Sequence, residues 1–159
     1  MEFSIQITGL DRLASKSQLV AKIAAEEVNK ALYVSAKQVE KEAKQSILSG
    51  DKTGHTYTRG NVAHRASAPG EAPASDTGRL VNSINTEVSK SALESTVSAG
   101  SGAVKYARML EFGTTKMAAR PFLFPALEKS KPFIRARFDQ ALSKTIDRAA
   151  TLGRSMIGK

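Results

Sequence analysis

"INTEVSKSALESTVSA", residues 84–99, decides the fold class. Ile84, Thr86 and Val88 alternate with polar neighbours, and Leu93, Ser95, Val97 and Ala99 repeat that alternation after the polar turn "SKSA". Two period-two runs joined by a short loop read as antiparallel strands with one face turned to a core. The sequence around them is helical in period instead. The chain is therefore predicted to be α+β: a small antiparallel sheet packed with a long N-terminal helix and a C-terminal amphipathic helix, with a long central loop.

Upstream, "EFSIQIT" alternates Phe3, Ile5 and Ile7 with polar residues and reads as a further strand, able to join the same sheet and ended by Gly9. Asp11 is the expected N-cap of a helix whose apolar positions Leu13, Val20, Ala24, Val28, Leu32, Val39, Ala43 and Ile47 step by fours and sevens. Ser49-Gly50-Asp51 closes it. Such a helix is roughly 55 Å long, more than a compact domain of this size is wide, so one end should protrude or break. Residues 51–75 follow as a stretch expected to lack regular structure, far longer than the usual connection of about 4–6 residues. Ser75, Asp76 or Thr77 should then cap a short helix bearing Leu80, Val81 and Ile84, with Gly78 keeping the turn slender.

Downstream, Gly100-Ser101-Gly102 separates the strands from "VKYARMLEFG", a short helix stopped by Gly113 in a left-handed conformation. Pro121, Pro125 and Pro132 each remove a backbone donor, so the last helix is expected to restart at Phe133. Its apolar stripe is Ile134, Phe138, Leu142, Ile146, Ala149, Leu152 and Met156, beside a basic ridge of Arg137, Lys144 and Arg148. At least two of Phe112, Phe122 and Phe124 read in the first instance as core. The whole, 1–159, reads as one domain with an extended flexible loop at about 51–75.

Chemistry finds little foothold. There is no cysteine, which removes disulfides, thiolate metal sites and cysteine nucleophiles and fits a reducing site of synthesis. His55 and His64 lack the spacing that aims two imidazoles at one ion. No serine sits in a nucleophile elbow, and "SGDKTG" lacks the G-K-[ST] of a phosphate loop. No catalytic residue, cofactor or metal is expected, and the chain does not read as an enzyme. No apolar run approaches the roughly 18 residues of a membrane span, and no signal peptide opens the chain, so no membrane partner is expected.

Formal net charge is +9 and uneven: residues 1–75 carry ten Lys/Arg against eight Asp/Glu, residues 76–159 fourteen against seven. A basic C-terminal half suits an acidic partner or DNA phosphates, which makes Arg135, Arg137, Lys144 and Arg148 candidate DNA-facing residues. It suits a solvated helix face equally well, and no aromatic platform is interleaved with the basic residues.

Two stretches stand apart. "RASAPGEAPASDTGRLVNSI", Arg65 to Ile84, fixes the backbone without offering much to bury, and "YARMLEFGTTKMAARPFLFPAL", Tyr106 to Leu127, clusters aromatics around a glycine turn and a proline-limited helix start. In this order, with a strand pair between them, they resemble the neck and tail-component family of long-tailed double-stranded DNA bacteriophages typified by gene product ten of phage HK-ninety-seven. The resemblance implies a non-enzymatic virion part of the head–tail connection (neck, tail completion or minor tail component), made in the host bacterial cytoplasm by a phage or prophage. It implies a homo-oligomeric ring around the DNA path, commonly sixfold on the tail side, meeting head-closure, tail-terminator or tail-tube proteins. On this reading the subunit interface falls on His64, Arg65, Pro69, Gly70, Pro73, Tyr106, Glu111, Phe112, Gly113, Arg120, Pro121 and Phe122. The central loop would lie across a neighbour and become ordered there, and deleting Arg65 to Ala74 would block joining while sparing the fold. Arg120 offers a bidentate partner for the Glu111 carboxylate. The alternative is a DNA-binding accessory protein using the basic C-terminal helix.

Overall fold

A computed structural model of the chain describes residues 10–50, 52–100, 102 and 104–157, with the side chains at 10–16, 153 and 155–157 excepted. The strand expected at residues 2–8 lies outside the described residues. The elements run α1 (Leu10–Leu48), β1 (Thr56–Arg59), β2 (Val62–Arg65), α2 (Arg79–Asn82), β3 (Asn85–Ser89), β4 (Glu94–Ser98), α3 (Ala107–Phe112) and α4 (Leu123–Ile157). The class is α+β, as predicted.

β3 and β4 pair antiparallel with Thr86 opposite Val97 and Val88 opposite Ser95, so the predicted alternation places these residues on the partly buried face. The turn between them is Lys90–Leu93, with Leu93 at φ 50°. The Thr86 hydroxyl donates to Glu40 of α1 (2.6 Å), and Asn29 of α1 donates to the Lys90 carbonyl at the tip of the pair (3.2 Å). These two bonds lay the ribbon along the middle of α1.

Val39, Ala43 and Ile47 of α1 form the floor of the core, and Leu80, Val81, Ile84, Val104, Ala107, Phe122 and Ala126 close over it. Towards its N-terminus the buried face of α1 runs through Ile23, Glu27 and Ala31, while Val20, expected on that face, is exposed. The partner there is α4, which lies antiparallel to α1: Lys129 pairs with Glu42 (2.7 Å) and Arg148 with Glu27 (2.7 Å). Asp11 lies inside α1 and is not its cap. The C-terminal end closes as expected, with the Ser49 N–H on the Gln45 carbonyl, Gly50 at φ 97°, and the Lys52 ammonium on the Ser46 carbonyl (2.9 Å), where a cation suits the helix dipole.

Three local expectations give way. The cap of α2 is Gly78 at φ 72°, with no side-chain cap bond, because Asp76 is drawn off to Arg59 and His64. The last helix does not restart at Phe133: α4 begins ten residues earlier and runs through Pro132. Pro132 costs one backbone bond and about 3 kcal/mol, a loss spread over a helix whose packed positions Ala126, Ser130 and Ala141 all lie against the rest of the protein. The segment 51–75 contains a hairpin, β1–β2, with Thr58 opposite Ala63 and Arg59 opposite Val62. Its two-residue loop is Gly60-Asn61 with Gly60 at φ 63°, the position a tight hairpin reserves for glycine.

Candidate functional site

The start of α4 is organised by a carboxylate from α3. Glu111 accepts the backbone N–H groups of Phe122 (2.9 Å), Leu123 (3.0 Å) and Phe124 (2.8 Å). These are donors that a helix start leaves unpaired, and an anion there also meets the positive end of the dipole. Pro125, next in line, has no N–H to satisfy. Within the subunit Glu111 and Arg120 do not pair, because the backbone donors claim the carboxylate. Arg120 donates instead from Nε to the Ser67 carbonyl (3.1 Å) and from its backbone to Leu110 (2.7 Å). Gly113 makes the reversal between α3 and this segment at φ 75°, ψ −178°, a conformation open to glycine almost alone. A Cβ there would sit 2.9 Å from the Met117 carbonyl oxygen and the Ala119 nitrogen.

Arg120 thereby ties this junction to the central segment, which is anchored at further points. The Gly70 N–H donates to Ala119 (2.9 Å). The Glu71 carboxylate accepts the Ala68 N–H (2.8 Å), the Thr53 N–H (3.1 Å) and the Thr53 hydroxyl. Gly54 donates to Ala66 (3.0 Å) and leaves no room for a Cβ, which would meet the backbone of Ala66 and Ser67 at 2.6–2.7 Å. Ser67 and Pro73 are buried, so deleting Arg65 to Ala74 would remove structural contacts and does not isolate joining from folding. Beyond this anchored base, the β1–β2 arm is exposed along almost its whole length. His64 stacks on Tyr57 (5.7 Å between ring centres) and approaches Asp76 (3.7 Å), while Arg65 reaches back to the Gly54 carbonyl (3.3 Å).

The bonds from Thr53 and Ala68 hold the Glu71 carboxyl at about 2, against an ordinary 4.5. A carboxyl depressed on folding contributes stability above its unfolded pKa, and that contribution is lost as pH falls through the folded value. The anchorage of residues 53–71 is therefore predicted to release between about pH 4.5 and 2. An NMR titration of the Ala68 amide should show a midpoint near 2 that Glu71→Gln abolishes. A midpoint at the ordinary carboxylate value would contradict the clamp. Glu40 behaves similarly: burial alone would raise its pKa, but Lys37, Lys44 and Thr86 bring it down to about 2.

Of the three phenylalanines, at least two of them expected in the core, only Phe122 is buried, at 1 % exposure, whereas Phe112 is 75 % and Phe124 62 % exposed. The latter two stand at the rim of an open groove of about 680 Å³. Its floor is α1 (Leu32, Ser35, Ala36, Val39), one wall is β4, and the other is α3 with the start of α4. Its lining is overwhelmingly apolar. Exposed apolar surface that is contiguous in this way marks an interaction site. Sequence reasoning placed Phe112 there but missed Phe124, Leu127 and the α1 floor.

The remaining candidates scatter. Pro69, Gly70 and Tyr106 are exposed, and Pro121 is half-buried at the α3–α4 turn. The basic ridge is divided: Arg148 is engaged by Glu26 and Glu27, the half-buried Arg137 bonds Gln140 (3.0 Å), and Arg135 and Lys144 are exposed and form no ion pair among the described residues. Among the described residues no three His, Cys, Asp or Glu side chains gather where they could hold a metal ion, and no helix is long and apolar enough to cross a membrane.

No curated protein and no solved structure significantly matches this chain. A family model described as "Bacteriophage HK97-gp10, putative tail-component" matches residues 11–113, from the start of α1 to the glycine that ends α3. The matched part holds α1, both hairpins, the anchored central segment and the α1, β4 and α3 sides of the groove, while α4 lies beyond it. With well over half of its length so matched, the chain belongs to the bacteriophage HK97 gp10 family of tail components.

Proposed function

We propose that this chain is a structural part of the phage head–tail connection, in a neck, tail-completion or minor-tail role, and that it acts as a homo-oligomeric ring through which DNA passes. The observation that carries this reading is the apolar groove with Phe112 and Phe124 at its rim, surface that a lone subunit leaves wet. The exposed β1–β2 arm supports it, since a two-stranded ribbon is marginal by itself and gains from lying across a neighbour. An exposed arm beside an apolar groove suits a part that assembles with neighbours better than a reaction centre. The flanking partners are then head-closure, tail-terminator or tail-tube proteins, and the site of action is the virion.

Phe112→Ser with Phe124→Ser tests this directly, because both side chains are exposed and the fold does not need them. The double variant is expected to keep the melting temperature of the parent chain and fail to complement a deletion of the gene in its phage or prophage. Normal particle assembly by the double variant would overturn the reading. DNA contact through the C-terminal helix remains as a weaker second reading. With Arg148 engaged and Arg137 half-buried, Arg135 and Lys144 supply about two phosphate contacts, for a log–log salt slope near −2.

A further inference from the structure

The groove has the shape of a slot for one extended strand. β4 pairs with β3 along one edge, and its other edge carries no strand among the described residues. That free edge forms the wall of the groove at Ser95–Val97, facing α3 across the α1 floor. An unpaired edge beside an apolar trough is the arrangement that takes up an added strand: main-chain bonds along the edge, alternate side chains in the trough.

The chain itself supplies a segment of matching pattern. Residues 2–8, "EFSIQIT", set Phe3, Ile5 and Ile7 on one face and Ser4 and Gln6 on the other. The geometry of α1 decides whose slot it can enter. The floor of the slot runs from Leu32 to Val39 along α1, which starts at Leu10, so its near end is about 33 Å and its far end about 44 Å from that start. Ile5 is five residues from Leu10 and reaches at most about 18 Å. The segment cannot lie in the groove of its own subunit. We propose that residues 2–8 of one copy add as a strand to the free edge of β4 in the next copy, with Phe3, Ile5 and Ile7 in the groove and Phe112 and Phe124 closing over them. This rests on the ring reading and names the contact that closes each joint.

The absence of cysteine makes the test clean. Full-length chains carrying Ser4→Cys or Gln6→Cys are mixed with chains carrying Glu94→Cys, Thr96→Cys or Ser98→Cys, all on polar faces, and oxidised after assembly. A disulfide-linked heterodimer is expected for at least one pairing, lost when Ile5→Lys is added to the first chain. Two results would overturn the strand exchange: no heterodimer from rings that native mass spectrometry shows to be intact, or a bridge that forms only when both cysteines share one chain. Failure of any oligomer to form, alone or with tail proteins, would instead remove the ring reading beneath it. Either failure is thus told apart from the other.

Discussion

Replacing Phe122 by alanine is expected to destabilise the chain by about 3–5 kcal/mol, the cost of emptying a well-packed aromatic site. Phe122 is 1 % exposed and touches both halves of the core, between α1 below and the α2, Val104 and Ala107 surface above. It also stands between Pro121 and the first turn of α4, so its loss loosens the backbone that Glu111 holds. For a chain of this length each kcal/mol moves Tm by roughly 2–4 °C, so the melting temperature should drop by about 6–20 °C. Phe112→Ala and Phe124→Ala, both at exposed positions, should leave Tm within the scatter of surface substitutions, about 0.5 kcal/mol. Equal losses at all three positions would mean that the groove is closed in the lone subunit.

The second large effect is at Glu111. Glu111→Ala strips the acceptor from three backbone donors at once, and a loss of roughly 2–3 kcal/mol is expected, above that of a single helix cap. Glu111→Gln keeps one acceptor oxygen and should lose about half as much, the charge and one lone-pair face being gone. Arg120→Ala separates this from an ion-pair account. If Glu111 worked through Arg120, both variants would fall together. Since Arg120 bonds the Ser67 and Leu110 carbonyls instead, Arg120→Ala should loosen the central segment, visible as faster protease cleavage between residues 60 and 75, while the Glu111 contacts persist.

The parts of this fold that were legible in the sequence are those where burial writes a period. The β3–β4 ribbon shows its alternation because Thr86, Val88, Ser95 and Val97 turn one face to α1. The C-terminal half of α1 shows its stripe because Val39, Ala43 and Ile47 line the core. The β1–β2 arm writes no such period, being exposed on both faces, and only the Gly60-Asn61 turn between "TYTR" and "VAHR" announces it. Pro132 misled for a related reason: the cost of one missing bond is local, whereas the contacts of Ala126, Ser130 and Ala141 that carry α4 past it come from distant sequence.

The site was half legible. "LEFG" and "ARPFLFP" meet beside the groove, and Gly113 makes the reversal between α3 and the segment leading to α4. Charge alone paired Glu111 with Arg120, because backbone donors eleven to thirteen residues away carry no mark in a sequence. The same blindness leaves a core and an interface reading of Phe112 side by side and gives Phe124 no interface reading at all. An aromatic that awaits a neighbour has the same composition as one already packed, and only its exposure in the folded subunit separates them.

Cryo-electron microscopy of assembled particles tests most directly whether this subunit completes its packing through its neighbours. The account predicts a ring at the junction of head and tail, with an adjoining copy covering Phe112 and Phe124 and an extra strand alongside Glu94–Ser98. A map in which those side chains face solvent, with no protein density in the groove, would contradict it.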